Sequence, residues 1–160
     1  MSKKQNRALV LHLYEEFDKG TLDDFTESIG SEFVAHVLGT TTLDWTGFKE
    51  FGATFRSAFP DGRHVFAHVV VDGDDVVTIG TYQGTQKGEL QGIPPTNRRL
   101  ELPVMHLDRV VDGKIVEHRG LANEVDFMRQ LGIVLEPRTG SIKRGENHTD
   151  RKPSVCRLSF

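Results

Sequence analysis

Residues 98–123, RRLELPVMHLDRVVDGKIVEHRGLAN, constrain this chain more than any other stretch. Two alternating apolar runs flank Asp112-Gly113, a dipeptide that tolerates the positive φ of the tight turns joining antiparallel strands. The stretch therefore reads as a long β-hairpin. Alternation sets His106 on the same side of the first strand as Leu102, Val104 and Asp108. On the second strand it sets His118 and Gly120 together, with Arg119 on the other face. Histidines sent into an apolar sheet face are either satisfied core residues or the beginning of a site.

Upstream of the hairpin, Ala8, Leu9, Leu11, Leu13, Tyr14 and Phe17 recur at steps of three and four. They predict a helix over 4–19, ended by Gly20. Thr21 is the expected N-cap of a short second helix, with Asp23 and Asp24 in its first turn. A strand over 31–38, a loop over 39–42 and a third helix over 47–59, capped by Thr46, follow. Phe48, Phe51, Phe55 and Phe59 share the inner side of that helix, a spacing more typical of core than of a ligand box. Pro60-Asp61-Gly62 turns the chain. A second hairpin spans 64–84 around residues 72–75. The Gly- and Pro-stiffened loop over 84–97 is expected to rim a pocket, and a helix over 124–131 completes the order.

Helices first and long strands after give an α+β class. The expected form is a single cone-shaped domain over residues 1–135. Its curved, mostly antiparallel sheet wraps round a pocket and is covered by the N-terminal helices. Residues 136–160 read as a basic, mobile tail. The formal net charge is −3; six Lys/Arg and two Asp/Glu from Arg138 onward contribute +4, so the preceding residues carry −7. Nothing here points to nucleic acid. No apolar run reaches the roughly 18 residues of a membrane span. Glu15, Glu16 and Asp18 interrupt the apolar N-terminal segment, so no signal peptide is expected, and Cys156 as the one cysteine suits a reducing cytoplasm. His36, His64 and His68 lack a metal-binding spacing, so no metal is expected. His64 and His68 are read as sharing a solvent-facing strand face.

DKGTLDDF, FRSAFPDGR, GELQGIPPTNRR, HLDRVVDGKIVEHR and MRQLG follow one another over about residues 5–133. In order and spacing they resemble the SnoaL-like polyketide cyclases, which belong to the ketosteroid-isomerase-like and nuclear-transport-factor-like superfamily of α+β cones. The resemblance implies an intramolecular aldol ring closure in an aromatic polyketide ester, without metal or cofactor. It implies an acidic side chain on the second hairpin strand and a histidine on the first. His106 takes the histidine's place. The acid's place, directly after His118-Arg119, is held by Gly120, and a second acidic position is Asn123.

The expectation is a cofactor-independent protein working by acid/base chemistry, ring closure or a related isomerisation, on a small hydrophobic or aromatic carbonyl compound. His106 is the acid/base or polarising group and His118 its partner; Phe33, Phe55, Tyr82, Leu102, Val104 and Gly120 form the wall. If both histidines face inward on adjacent strands, their Cβ atoms come within about 5–8 Å, and mutual repulsion keeps one imidazole neutral. Asp108 and Glu101 are further candidates to replace the missing acid. Trp45 is a second candidate wall residue. Arg98 and Arg99 are either a substrate-carboxylate clamp or a solvated pair. A non-catalytic small-molecule binding module is the competing class, favoured by Gly120, and a scaffold acting through the basic tail is a third. A homodimer or larger homo-oligomer is expected through the outer sheet face that carries Arg119.

Overall fold

The computed structural model describes residues 2–37 and 41–133; the expected tail, residues 136–160, lies outside them. Helix α1 (Lys3–Lys19) starts in a capping box. The Ser2 hydroxyl accepts from the Gln5 backbone N–H, and the Gln5 side chain accepts from the Ser2 N–H. The helix ends at Gly20, whose φ of 78° suits a residue without Cβ. The second helix is a 3-10 segment, Leu22–Ser28. Thr21 does not cap it, because its hydroxyl is committed to the Glu16 carboxylate at 2.5 Å.

Then come β1 (Ile29–Val37), β2 (Thr41–Leu43), α2 (Trp45–Ala58), β3 (Arg63–Asp72), β4 (Asp75–Thr85), β5 (Arg99–Val111), β6 (Lys114–Ala122) and α3 (Glu124–Gln130). The N-cap of α2 is Asp44 rather than Thr46, its carboxylate accepting from the Gly47 N–H at 2.8 Å. Part of the expected loop over 39–42 is strand, since β2 pairs with β1. Among the described residues, no helix is long and apolar enough to cross a membrane.

The six strands form one open sheet in the order β2-β1-β6-β5-β4-β3. Every pairing is antiparallel except β1 with β6, so the α+β expectation holds with a mixed sheet. α1 packs on β3 and β4, α2 on β1 and β2, and α3 on β5. Val10, Leu13, Phe17, Phe48 and Ile115 fill the space between helices and sheet. Each such buried side chain contributes about 1.5–3 kcal/mol. A second cluster, with Phe59, Leu100, Leu102 and Met128, lies towards α3, and Phe55 touches both. The loop over 84–97 does not rim the cavity. It folds onto the fully buried Gln86, whose amide donates to the carbonyls of Gly88, Ile93 and Pro94 while Thr96 donates to its oxygen.

Two β-bulges decide which side chains face the helices. The turn at Asp112-Gly113, with φ of 48° and 76°, pairs Val111 with Lys114. Continued without interruption, that register sets His118 beside Leu107, on the outer face. One extra residue, Val116, shifts the pairing so that Asp108 opposes His118 and His106 opposes Gly120. In β3 the extra residue is Ala67: Phe66 pairs with Gly80 but His68 pairs with Ile79. His64 and His68 therefore lie on opposite faces, against the expectation that they share one. His64 turns inward and His68 stays exposed. Gly80 accommodates this bulge, since a Cβ there would stand 2.1 Å from the Val65 carbonyl oxygen.

Candidate active site

Alternation on β5 buries Leu102, Val104, His106 and Asp108 in one line. Asp108 is fully buried and joins two donors: the Tyr14 hydroxyl reaches Oδ2 at 2.6 Å, and His118 Nδ1 lies 2.8 Å from Oδ1. A buried carboxylate needs such partners, because an unpaired one costs several kcal/mol, on the order of the penalty for desolvating an ion. With Nδ1–H directed at Asp108, His118 presents Nε2 towards Gly120, where an ideal Cβ would stand 3.3 Å from it. His106 lies next to this pair, its ring centroid 5.5 Å from that of His118 and its Nδ1 3.1 Å from the Thr78 hydroxyl.

On the other side, His64 Nδ1 lies 2.7 Å from Asp18 Oδ1, and the His64 backbone N–H donates to Asp18 Oδ2. Tyr14 sits among the three imidazoles, with centroids 4.9 Å from His106, 5.0 Å from His64 and 6.2 Å from His118. Burial, reinforced by Asp108, raises its phenol well above the usual range, so it stays a donor.

These groups open on a cavity of about 530 Å³, measured out to the solvent at its mouth. His64, His106 and His118 give it a polar end; Phe17, Phe51, Phe55 and Leu102 are among its apolar walls. Of the residues expected from sequence, His106, His118, Phe55, Tyr82, Leu102, Val104 and Gly120 all line it. Phe33 lies in the core against Trp45 and Phe48, and neither it nor Trp45 is a lining residue. Glu101 is exposed, its carboxylate paired with Arg99 and its backbone with the Gln130 amide, and it does not line the cavity. Arg99 pairs with Glu101, the guanidinium of Arg98 lies against Gly132, and neither arginine lines the cavity. Sequence reasoning passed over Tyr14, Asp18, Thr78 and His64. Tyr14 and Asp18 are one helical turn apart and face the sheet together, which was the available signal.

Burial first, then the charges of His118 and His64, push His106 well below the ordinary imidazole range. The unfolded chain takes up a proton at this histidine near pH 6.5, whereas the folded chain refuses it. His106 therefore leaves stability untouched at higher pH and lowers it as pH falls below about 6.5, by up to about 1.4 kcal/mol per pH unit. Urea unfolding at about pH 5 and about pH 7.5 should show a smaller acid loss in His106→Gln than in the native protein. An unchanged difference would mean that His106 titrates normally.

A family model described as SnoaL-like polyketide cyclase matches residues 8–131. The nogalonic acid methyl ester cyclase of Streptomyces nogalater is 33% identical over 123 residues, covering 72% of this chain and 89% of that protein. An aklanonic acid methyl ester cyclase of Streptomyces peucetius is 30% identical, covering 78% and 88%. Among solved structures, IdmH of Streptomyces antibioticus, described as a polyketide cyclase, superposes with a TM-score of 0.71 at 32% identity, covering 81% of this chain and 99% of that one. A protein of Jannaschia described as a SnoaL-like polyketide cyclase gives 0.75 at 25% identity, covering 81% and 92%.

Proposed function

We propose, because this chain belongs to the SnoaL-like polyketide cyclase family, that it closes a ring in an aromatic polyketide ester by a cofactor-independent intramolecular aldol reaction. The observation that carries this reading is the Asp108–His118 pair aimed at Gly120. The carboxylate that the family resemblance sets at position 120 is absent. Two pairs along the ladder, the buried Asp108 supports an imidazole whose Nε2 stands 3.3 Å from where a Cβ at position 120 would be. His118 then removes the proton from the carbon next to the ester carbonyl, and Asp108 stabilises the resulting imidazolium. The freed electron pair attacks the ketone carbon, and the carbonyl π pair moves to its oxygen.

Part of this reading is the His106 tautomer in which Nδ1 accepts from the Thr78 hydroxyl, 3.1 Å away, so that the neutral ring polarises the enolate oxygen through Nε2–H. The apolar wall of Phe55, Tyr82, Leu102 and Val104 holds the chain folded for attack. Part of the same reading, with a cytoplasmic location, is a homo-oligomer, for which the exposure of Val65, Val70 and Met105 on the outer sheet face is the support.

Ring closure of nogalonic acid methyl ester and of aklanonic acid methyl ester, followed by absorbance, tests the proposal. The native protein should close one of them, and His118→Gln should lose about 10³-fold. The absence of Asp or Glu at position 120 favours one competing reading, a non-catalytic binding module. Tight binding of either ester with no closure by the native protein would establish that reading instead.

A further inference from the structure

The cavity holds a second carboxylate–imidazole pair that the proposed reaction has not yet used. Resting on that reaction, we infer that Asp18–His64 is the general acid of the site and delivers the proton to the ketone oxygen as the ring closes. The side chains of His64 and Asp18 are 8% and 17% exposed, so the pair is not a loose surface contact. Asp18 accepts His64 Nδ1–H at 2.7 Å, which leaves Nε2 as the free ring nitrogen, and among the described residues it has no hydrogen-bond partner. His64 lines the cavity, with its ring centroid 5.4 Å from His106 and 5.0 Å from Tyr82.

The pair reaches the cavity from the α1 and β3 side, whereas Asp108–His118 comes from β5 and β6. The two acid/base groups thus stand on either side of His106. Two such groups suit an aldol closure, since one can take the proton from carbon while the other gives one to the ketone oxygen in the same step. The balance is simple: the C–H pair becomes the new C–C bond, the carbonyl π pair becomes an O–H bond, and the proton leaving His64 is restored from solvent as His118 returns its own. The Ala67 bulge and Gly80 serve this arrangement, because without them His64 faces outward.

A merely structural pair, pinning α1 to β3, predicts different behaviour. The test follows nogalonic acid methyl ester in deuterated buffer, reading ring closure and deuterium uptake at the enolisable carbon above the buffer rate. His64→Gln should slow closure at least 30-fold while uptake into recovered open-chain ester persists, since the enolate still forms and returns. His118→Gln should suppress both. Asp18→Asn keeps the acceptor for the His64 backbone N–H and should reproduce the His64→Gln pattern, which covers the case in which His64→Gln does not fold. Equal slowing of both steps in His64→Gln and Asp18→Asn, or no slowing, would overturn the inference. If the native protein closes no ring, the cyclase reading fails, and fluorescence binding of 2-naphthol, an enol mimic, decides on the pair alone. At least tenfold weaker binding in the folded His64 or Asp18 variant upholds the pair as a hydrogen-bonding group on the cavity; unchanged binding removes it.

Discussion

Asp108→Asn is expected to cut ring closure by about 10³-fold or more and to lower stability by about 1–3 kcal/mol. Asp108 receives two donors on two oxygens, the Tyr14 hydroxyl and His118 Nδ1–H. A carboxamide offers one acceptor and one donor, so one of these partners must reverse its role. If His118 reverses, Nδ1 becomes the acceptor, Nε2 carries the proton, and the base facing Gly120 is gone. If Tyr14 reverses, the tautomer survives, but no negative charge remains at the fully buried position 108 to stabilise the imidazolium. Both branches strike the proton-abstraction step, so kcat should fall while ester affinity stays within a few fold. The stability loss is modest because the side chain keeps its shape and at least one hydrogen bond. Steady-state kinetics beside urea unfolding separate the two effects. A variant losing less than tenfold in kcat would remove Asp108 from the mechanism.

How far the sequence reaches is clearest on β5 and β6. Asp112-Gly113 marks the turn, and alternation along β5 correctly groups Leu102, Val104, His106 and Asp108 on one buried face. The meeting of Asp108 with His118 is a different matter. It depends on Val116 being extra in β6, and the alternating pattern carries no mark of that residue. Alternation alone leaves open whether His106 and His118 share a face, and the bulge decides it. His64 shows the opposite outcome: strict alternation joins it to His68, and the Ala67 bulge separates them. Gly80 was the available sign, since a glycine inside a strand marks a bulge or a close backbone approach. Tyr14 and Asp18 read as ordinary positions of an amphipathic helix, because their partners lie 94 and 46 residues away in the chain. Their spacing of one helical turn shows that they share a face, but not which residues they meet across it. The family resemblance supplied the fold, the vacancy at Gly120 and the histidine opposite it, His106; it gave no indication of Tyr14 or of the Asp18–His64 pair.

That vacancy yields the second large effect. A Cβ at Gly120 would stand 3.3 Å from His118 Nε2 and 3.4 Å from His106 Cδ2, so small movements of two rings admit a side chain. The position has no positive φ to strain it. Gly120→Asp therefore inserts a carboxylate between the imidazoles and the substrate, within hydrogen-bond reach of His118. His118, now flanked by two carboxylates, becomes an imidazolium held in place, and the new aspartate meets the substrate as the direct base. Dependence on His118 should weaken accordingly. In the native background His118→Gln is expected to cost about 10³-fold; in the Gly120→Asp background it should cost about tenfold. The difference, about 100-fold, is a coupling of ~2.7 kcal/mol between positions 118 and 120. Measuring kcat/KM for the native protein, both single variants and the double variant closes the cycle. Equal losses in the two backgrounds would mean that His118 and the inserted carboxylate do not share a task, and that Asp108–His118 does not stand in for the missing acid.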